Sequence, residues 1–445
     1  MRIFFRNLLI QFCIFLLFVT PIFSFGKRDY KKNTKPQEFA MEQKDTIIEQ
    51  DAQLETLNSE KINTSDELNN LSFPDKVNNL INQNDNYMFS PLSIKMALAM
   101  VANGAEGKTK DEILTALEIE DLEKFNQWAK ETIINLPDSE NLRLQIANSL
   151  WVNTSRSSNN FSKDFLNITK ENFYATAETV RDKNAVSTIN NWVSEKTHKK
   201  IQGIISSPDF EVMLINALYF KGAWQNEFHQ GATKSGSFYN ADGSETTTDF
   251  MNRTGYYGYC STEKGQIIKL PYKNVFDQFD ENFNRIGRET ISMKPAMYVL
   301  LPHPEKQPQV YKEITQAISS ENIKSTYVKF SMPKFKIEFA TTLNKILQSL
   351  GINSVFTRQA ELAFMFQNKE QFPNFSQVLH KTYISVDEKG TEAAAVTAIA
   401  MATTSLPPKP IVLVLDRPFY FAIIDETSEE VLFMGQYSFA NQKNN

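Results

Sequence analysis

Apolar positions recur at helical spacing in the first half of the chain and at strand spacing in the second. Residues 75–82 read as a helix. Residues 93–102 read as another, with Ile94, Ala97, Leu98 and Val101 on one face. Helical patterns continue over 111–117 and 120–136, 144–152 is strand-like, and 188–197 is helical again. The run 213–221 is apolar at nearly every position, as expected of a strand covered on both faces. From Gly255 onward strand patterns dominate: 266–271, 296–301, 327–337, 382–386, 411–415, 420–425 and 431–436. There is no βαβ rhythm and no repeat of fixed period, so the class predicted is α+β with large, mainly antiparallel sheets.

The chain starts with a basic stretch, Met1 to Arg6, and an almost unbroken apolar run follows over 8–25, closed by Gly26 before Lys27 and Arg28. This is the pattern of a secretory signal peptide over 1–26, with small residues Ser24 and Gly26 suiting cleavage after Gly26. The run is about 18 residues, the lower limit for crossing a bilayer, so a retained anchor is the competing reading. Ile10, Gln11 and Phe12 put no small residue before Cys13, against lipidation. Residues 27–71 are polar and without periodicity, a solvated tether. The folded domain is expected over 72–441.

The 445 residues are 41% hydrophobic and 22% charged, which excludes a collagen-like or low-complexity chain and leaves room for a large core. With 47 Lys and Arg against 52 Asp and Glu there is no cationic excess to neutralise phosphates, and no nucleic-acid partner is expected. The two cysteines, Cys13 and Cys260, cannot build a disulfide framework or a zinc site. None of the four histidines has a second histidine three or four positions away, so metal hydrolysis lacks its ligands. Residues 102–109 approach a phosphate-cradling loop, but Ala102 stands where its first glycine belongs and a helix precedes it rather than a strand. No Gly-x-Ser-x-Gly elbow occurs. Cys260 is read as a buried free thiol rather than a nucleophile. No enzyme, cofactor or metal is predicted.

The informative stretch runs from Asp387 to Pro408. It carries no charge after Glu392 and mixes alanines with β-branched Thr391, Val396, Thr397, Ile399, Thr403 and Thr404 before a double proline. Read with period two, one face carries Thr391, Ala393, Ala395, Thr397, Ile399 and Met401, and could enter a core. The other face carries Glu392, Ala394, Val396, Ala398 and Ala400. Such a segment can be mobile in one state and a strand in another.

From about Phe73 to Ala440 the chain resembles the serpin family, on five motifs in order. They are Phe89-Ser90-Pro91-Leu92-Ser93-Ile94 followed by Asn103-Gly104-Ala105 and Gly107-Lys108-Thr109; Asn216-Ala217-Leu218-Tyr219-Phe220-Lys221-Gly222-Ala223-Trp224; Met332-Pro333-Lys334-Phe335; the loop from Glu388 to Thr397; and Leu415-Asp416-Arg417-Pro418-Phe419-Tyr420-Phe421. The resemblance implies three sheets, about nine helices and an exposed reactive-centre loop over 388–408. In that family a target protease cleaves the loop and is held as an acyl-enzyme while the freed strand inserts into the central sheet. From Glu388 to Thr404 is 16 steps, roughly 50 Å at about 3.3 Å per residue.

The resemblance also assigns roles. Glu388, Gly390, Thr391, Glu392, Ala393, Ala394, Ala395 and Thr397 form the hinge, whose small inward residues suit rapid insertion and hence an active inhibitor. The reactive bond is placed at Thr404-Ser405, with Thr403-Thr404 as the rival register. Lys334 and Trp224 fall at the breach, where the loop would join the sheet, with Lys334 paired to Glu388. Ser90, Ser93, Asn216 and His380 fall in a shutter cluster beneath the sheet. No Lys or Arg lies between Lys389 and Lys409, which disfavours trypsin-like targets and points to elastase-like or subtilisin-like serine proteases, with broad cysteine proteases as an extension. A secreted or envelope-exposed bacterial monomer without membrane contact after cleavage is expected. The alternative is a non-inhibitory serpin acting as a carrier or binding module.

Two stretches depart from the family: the tether, and an insertion within 273–294 expected to be an exposed loop. Lys196, His198, Lys199 and Lys200 are too short a basic run to predict a polysaccharide activator.

Overall fold

Two large sheets enclose one buried helix. The computed structural model describes residues 70–81, 85–139, 141–280, 284–306, 308–370, 372–391 and 408–441. The segment expected as a signal peptide, nearly all of the expected tether, and Glu392, Ala393, Ala394, Ala395, Thr397, Thr403, Thr404 and Ser405 lie outside the described residues.

The first part holds α1 (Phe73–Leu80), β1 (Tyr87–Phe89), α2 (Pro91–Ala102), α3 (Gly107–Ala116) and α4 (Leu122–Ile134). Next come β2 (Leu142–Asn153), α5 (Lys163–Phe173), β3 (Thr176–Val180), α6 (Asp182–Lys196) and β4 (Val212–Ala223). The middle is all strand: β5 (Lys234–Tyr239), β6 (Glu245–Ser261), β7 (Gly265–Pro271), β8 (Val275–Phe279), β9 (Arg285–Thr290) and β10 (Pro295–Pro302). Then follow α7 (Val310–Ser319), β11 (Lys324–Pro333), β12 (Phe335–Thr342) and α8 (Asn344–Ser349). The last strands are β13 (Phe375–Val386), β14 (Gly390–Thr391), β15 (Ile411–Val414), β16 (Phe419–Asp425) and β17 (Val431–Tyr437).

The strands form three sheets among the described residues. One has nine strands, ordered β1-β17-β16-β10-β7-β6-β11-β15, with β5 also on β6; one has six, ordered β12-β13-β14-β4-β2-β3; the third is the β8-β9 ribbon. Parallel pairing is confined to β2 with β3, β4 with β13 and β11 with β15. The α+β, three-sheet expectation therefore holds, with eight α-helices among the described residues.

Ser90 starts α2: its hydroxyl accepts the Ser93 N–H at 3.2 Å, and Pro91 occupies the first turn, where a missing N–H costs nothing. The periodicity marks one apolar face on this helix, but only Lys95 escapes full burial, because α2 packs on β17, β4 and β2 at once. The strand expected over 327–337 is two strands. The chain leaves the nine-stranded sheet after Pro333 and joins the six-stranded sheet at Phe335, and the buried alternation slips by one residue there, from Val328, Phe330 and Met332 to Phe335, Ile337 and Phe339. The insertion is largely exposed, and it is also regular. β8 pairs with β9 antiparallel from Val275↔Thr290 to Phe279↔Arg285, and Phe276 and Ile291 pack on the main core.

The main core fills the space between the two large sheets. A second, smaller core lies where α6 and the following 197–211 segment cover the outer face of the six-stranded sheet. It joins Ile189 and Val193 to Met213, Ile215 and Ala217 of β4 and to Leu379 and Tyr383 of β13.

Candidate functional site

The central pair of the six-stranded sheet, β4 and β13, is parallel, in continuous register from Gln377↔Met213 to Tyr383↔Tyr219 after an irregularity that follows Phe375↔Val212. Beyond Tyr383 the two strands part, and β14 lies between them: Thr391 faces Val386 and Gly222, and Gly390 faces Ala223. β14 is antiparallel to both neighbours. Gly390 makes this seat possible. Its φ is 151°, and a Cβ there would stand 2.1 Å from the Gly222 carbonyl oxygen. Thr391 is fully buried, and its hydroxyl meets the Tyr272 hydroxyl at 2.8 Å. Burial pushes the Tyr272 phenol well up, with the Thr391 contact opposing.

Trp224 grips the turn before β14. Its indole N–H donates to the Asp387 carbonyl at 2.9 Å and its backbone N–H to Lys389 at 2.8 Å, while its ring stacks on Tyr272 at 4.5 Å. The Phe228 N–H donates to the Glu388 carbonyl at 2.8 Å. The Glu388 carboxylate accepts from the Thr233 hydroxyl at 2.7 Å and forms an ion pair with Lys334 at 3.0 Å. Burial works to raise the Glu388 carboxyl, but the Thr233 hydroxyl, its own N–H and Lys334 together hold it below the usual carboxylate range.

Lower on the same two strands lies a fully buried polar cluster. The Ser90 N–H donates to His380 Nε2 at 3.3 Å, so Nε2 carries the lone pair and Nδ1–H donates to Asn216 Oδ1 at 2.5 Å. Asn216 Nδ2 in turn donates to Asn148 Oδ1 at 2.5 Å and to the Ser93 hydroxyl. His380 and Asn216 are cross-strand neighbours on β13 and β4, and Asn148 faces Asn216 from β2. Burial lowers the His380 pKa to about 3, so the ring is neutral.

The described residues of the expected sets thus fall into two hydrogen-bonded groups at the seam of the β13–β4 pair: Glu388, Gly390, Thr391, Trp224 and Lys334 around β14, and His380 and Asn216 with Ser90 and Ser93 of α2 and its cap. Sequence reasoning missed several residues on that seam. Lys381 is on the opposite face of β13 from His380, its ammonium buried, donating to the Gly203 carbonyl at 2.8 Å and pairing with Glu338 at 3.3 Å. Burial pushes this ammonium down, with Glu338 opposing. Gly203 belongs to the segment after α6, so Lys381 ties that cover to β13. A lysine within a buried strand was the available signal. Tyr272, Thr233 and Asn148 carried none, since only folding brings them to the seam.

The phosphate-loop resemblance over 102–109 is closed from within. The Glu361 carboxylate accepts the Thr109 N–H at 3.3 Å at the start of α3, and a Cβ on Gly107 would stand 2.5 Å from it. The chain's own carboxylate occupies the place an anion would take. Cys260 is buried and its thiol pKa is raised by that burial, as expected of an inert cysteine. Among the described residues no cluster of metal-ligating side chains occurs.

Residues 69–439 match the family model described as Serpin (serine protease inhibitor). Serpin-Z2A of Triticum aestivum is 30% identical over 79% of this chain and 89% of its own length. Neuroserpin of Homo sapiens is 31% identical, covering 80% and 86% respectively. The crystal structure of the thermophilic serpin tengpin in its native state superposes with a TM-score of 0.72 at 30% identity, over 86% of this chain and 96% of that one. Human thyroxine-binding globulin, solved with thyroxine, shares the fold at a TM-score of 0.68 and 23% identity, covering 82% and 95%. Serpins in general act on proteases as inhibitors rather than as catalysts. With a matching model over most of its length, relatives at about a third identity and a seam built on its family motifs, this chain belongs to the serpin family.

Proposed function

We propose that this chain is an irreversible suicide-substrate inhibitor of elastase-like or subtilisin-like serine proteases, secreted and monomeric. The observation that carries the reading is β14, which makes the Gly390–Thr391 hinge a strand already started between β13 and β4. The protease serine oxygen adds to the Thr404 carbonyl, the bond to the Ser405 nitrogen breaks, and that nitrogen leaves as the protonated amine. Thr404 stays ester-linked to the protease. The freed segment then continues from Thr391 down the seam.

Insertion replaces one parallel ladder with two antiparallel ones, a gain in backbone hydrogen bonds of better geometry. Positions 392–404 span roughly 43 Å at about 3.3 Å each, comparable to the twelve residues of β4. The His380–Asn216 bond bridges the seam and must part, and the α6 cover that Lys381 holds must lift. Both resist insertion until the loop is cut. Thr404, Ala402 and Met401 suit shallow apolar pockets, and no cation is offered to a trypsin-like one.

The test is incubation of the mature protein with an elastase, a subtilisin and trypsin. A denaturant-stable complex with either of the first two, and a released peptide starting at Ser405, is expected. Clean cleavage by every protease without a complex would overturn the inhibitor reading and leave the carrier or binding module, for which the same fold serves in thyroxine-binding globulin.

A further inference from the structure

The outer face of the six-stranded sheet gathers cations that lie far apart in the chain. Arg143 of β2 and Lys221 of β4 are cross-strand neighbours. The Arg143 guanidinium reaches His198 at 3.5 Å, and the His198 ring packs on Tyr219 with centroids 5.3 Å apart. Tyr219 of β4 faces Tyr383 of β13 across the seam. Two ammonium groups lie over the Tyr383 ring, Lys336 of β12 at 5.2 Å and Lys200 at 5.6 Å. His198, Lys199 and Lys200, which follow α6, are exposed, as is Lys336.

Arg143, Lys199, Lys200, Lys221 and Lys336 thus share one face although they come from four segments. The carboxylates beside them are Asp138, on Arg143, and Glu338, already held by buried Lys381. Glu195 and Lys196, on the last turn of α6, offset each other. A chain with a net charge of −5 therefore has a local excess of positive charge over its seam. The patch crosses β2, β4, β13 and β12, about 15 Å at about 4.8 Å between strands, which suits an extended polyanion rather than a compact one.

The chain holds such a segment itself. No Lys or Arg lies between Lys44 and Lys61, and Asp45, Glu49, Asp51, Glu55 and Glu60 place five carboxylates there. Reach permits the contact. α1 touches α8, and from Asn344 at the start of α8 back to Lys336 is eight steps, roughly 26 Å along β12. The chain from Glu60 to Asn70 spans up to about 35 Å, and from Asp45 more than twice that.

We infer that residues 45–60 dock on this face as an acidic strap across the seam, from Arg143 and Lys221 to Lys336. Each exposed ion pair is weak, worth up to about fivefold, but several act together and the short connection supplies a local concentration on the order of millimolar. The strap holds Lys199 to both sides of the sheet, and so steadies the segment after α6 that covers β13. This docking belongs to the uncleaved chain and stands apart from protease inhibition.

The test compares the mature protein with a variant carrying Asp45→Asn, Glu49→Gln, Asp51→Asn, Glu55→Gln and Glu60→Gln, all outside the described residues. A zero-length carbodiimide joins a carboxylate directly to an amine. It should link 45–60 to Lys199, Lys221 or Lys336 at about 10 mM salt and fail to do so at about 1 M, where the Debye length is about 3 Å. Amide exchange over 197–206, read by mass spectrometry, should be about threefold to tenfold faster in the neutralised variant, with no further change in that variant at high salt. Lys199→Glu with Lys336→Glu should have the same effect on exchange and abolish the links to Lys221. Links from 45–60 that avoid all three lysines, or no links, refute the docking. Equal exchange over 197–206 in the parent and the neutralised variant, whose folded part is unaltered, refutes the steadying of the cover.

Discussion

His380 sits where two strands must part, and its protonation state sets the strength of that seam. Both ring partners, the Ser90 N–H and Asn216, are uncharged, and the residue is fully buried. The folded ring has a pKa of about 3, whereas the unfolded chain titrates near 6.5. Between those values the unfolded state binds the extra proton, so stability rises with pH there. The contribution is whole above pH ~6.5, falls by about 1.4 kcal/mol per unit below it, and is spent near pH 3. At pH 5 the loss is about 2 kcal/mol, which for a folded unit of this size lowers the melting temperature by roughly 2–4 °C. The assay compares the parent with His380→Asn by thermal scan from pH 4.5 to 8, so that carboxylates common to both cancel. The parent curve should bend downward below pH 6.5 and the variant curve should lack that bend. A direct check follows the His380 Cε1–H resonance, which should not shift above pH ~4. Parallel curves, or a His380 resonance titrating near 6.5, would refute the reasoning.

Other substitutions probe the rest of the seam. Gly390→Ala places a Cβ against the Gly222 carbonyl at a φ that side chains avoid, so it should expel β14. The Thr391 amide would then exchange rapidly and the loop base would become a site of nicking; a Thr391 amide as protected as in the parent contradicts this. Lys381→Met removes the donor to Gly203 and should cost about 1–3 kcal/mol, with faster amide exchange over 200–206 read by mass spectrometry. Exchange unchanged in that segment would show that Lys381 does not tie the cover down. Thr404→Arg supplies the cation the loop lacks and should raise the rate of complex formation with trypsin at least about a hundredfold, through the charge-paired pocket. Failure to form any trypsin complex, with the loop still cleaved there, would count against the proposed register.

The reach of sequence reading followed the range of the forces involved. Short-range signals were sound in part: the helix read over 93–102 exists but begins at Pro91, where Ser90 and Pro91 supply start chemistry that the periodicity does not show, and the apolar run of 213–221 is a strand covered on both faces. Ser90, Ser93, Asn216 and His380 were grouped through family motifs and do meet in one hydrogen-bonded cluster. The change of sheet at Lys334 did leave a trace that was passed over: the buried alternation falls on Val328, Phe330 and Met332 before it and on Phe335, Ile337 and Phe339 after it, a slip of one residue at Pro333. The β8-β9 ribbon was illegible because its pairing is with itself, away from the sheets that dominate the pattern. Lys381 was missed because its partners, Gly203 and Glu338, lie far from it in the chain.

What the amino-acid order determined by itself was local: the helical and strand periodicities, and the small residues without charge that follow Glu392. The tertiary structure decided the rest. Only folding puts β14 between β13 and β4, since a strand's neighbours are chosen by long-range pairing rather than by its own residues. Only folding, too, encloses His380 until its charge becomes costly. Burial and register are properties of many segments at once, and no single segment encodes them.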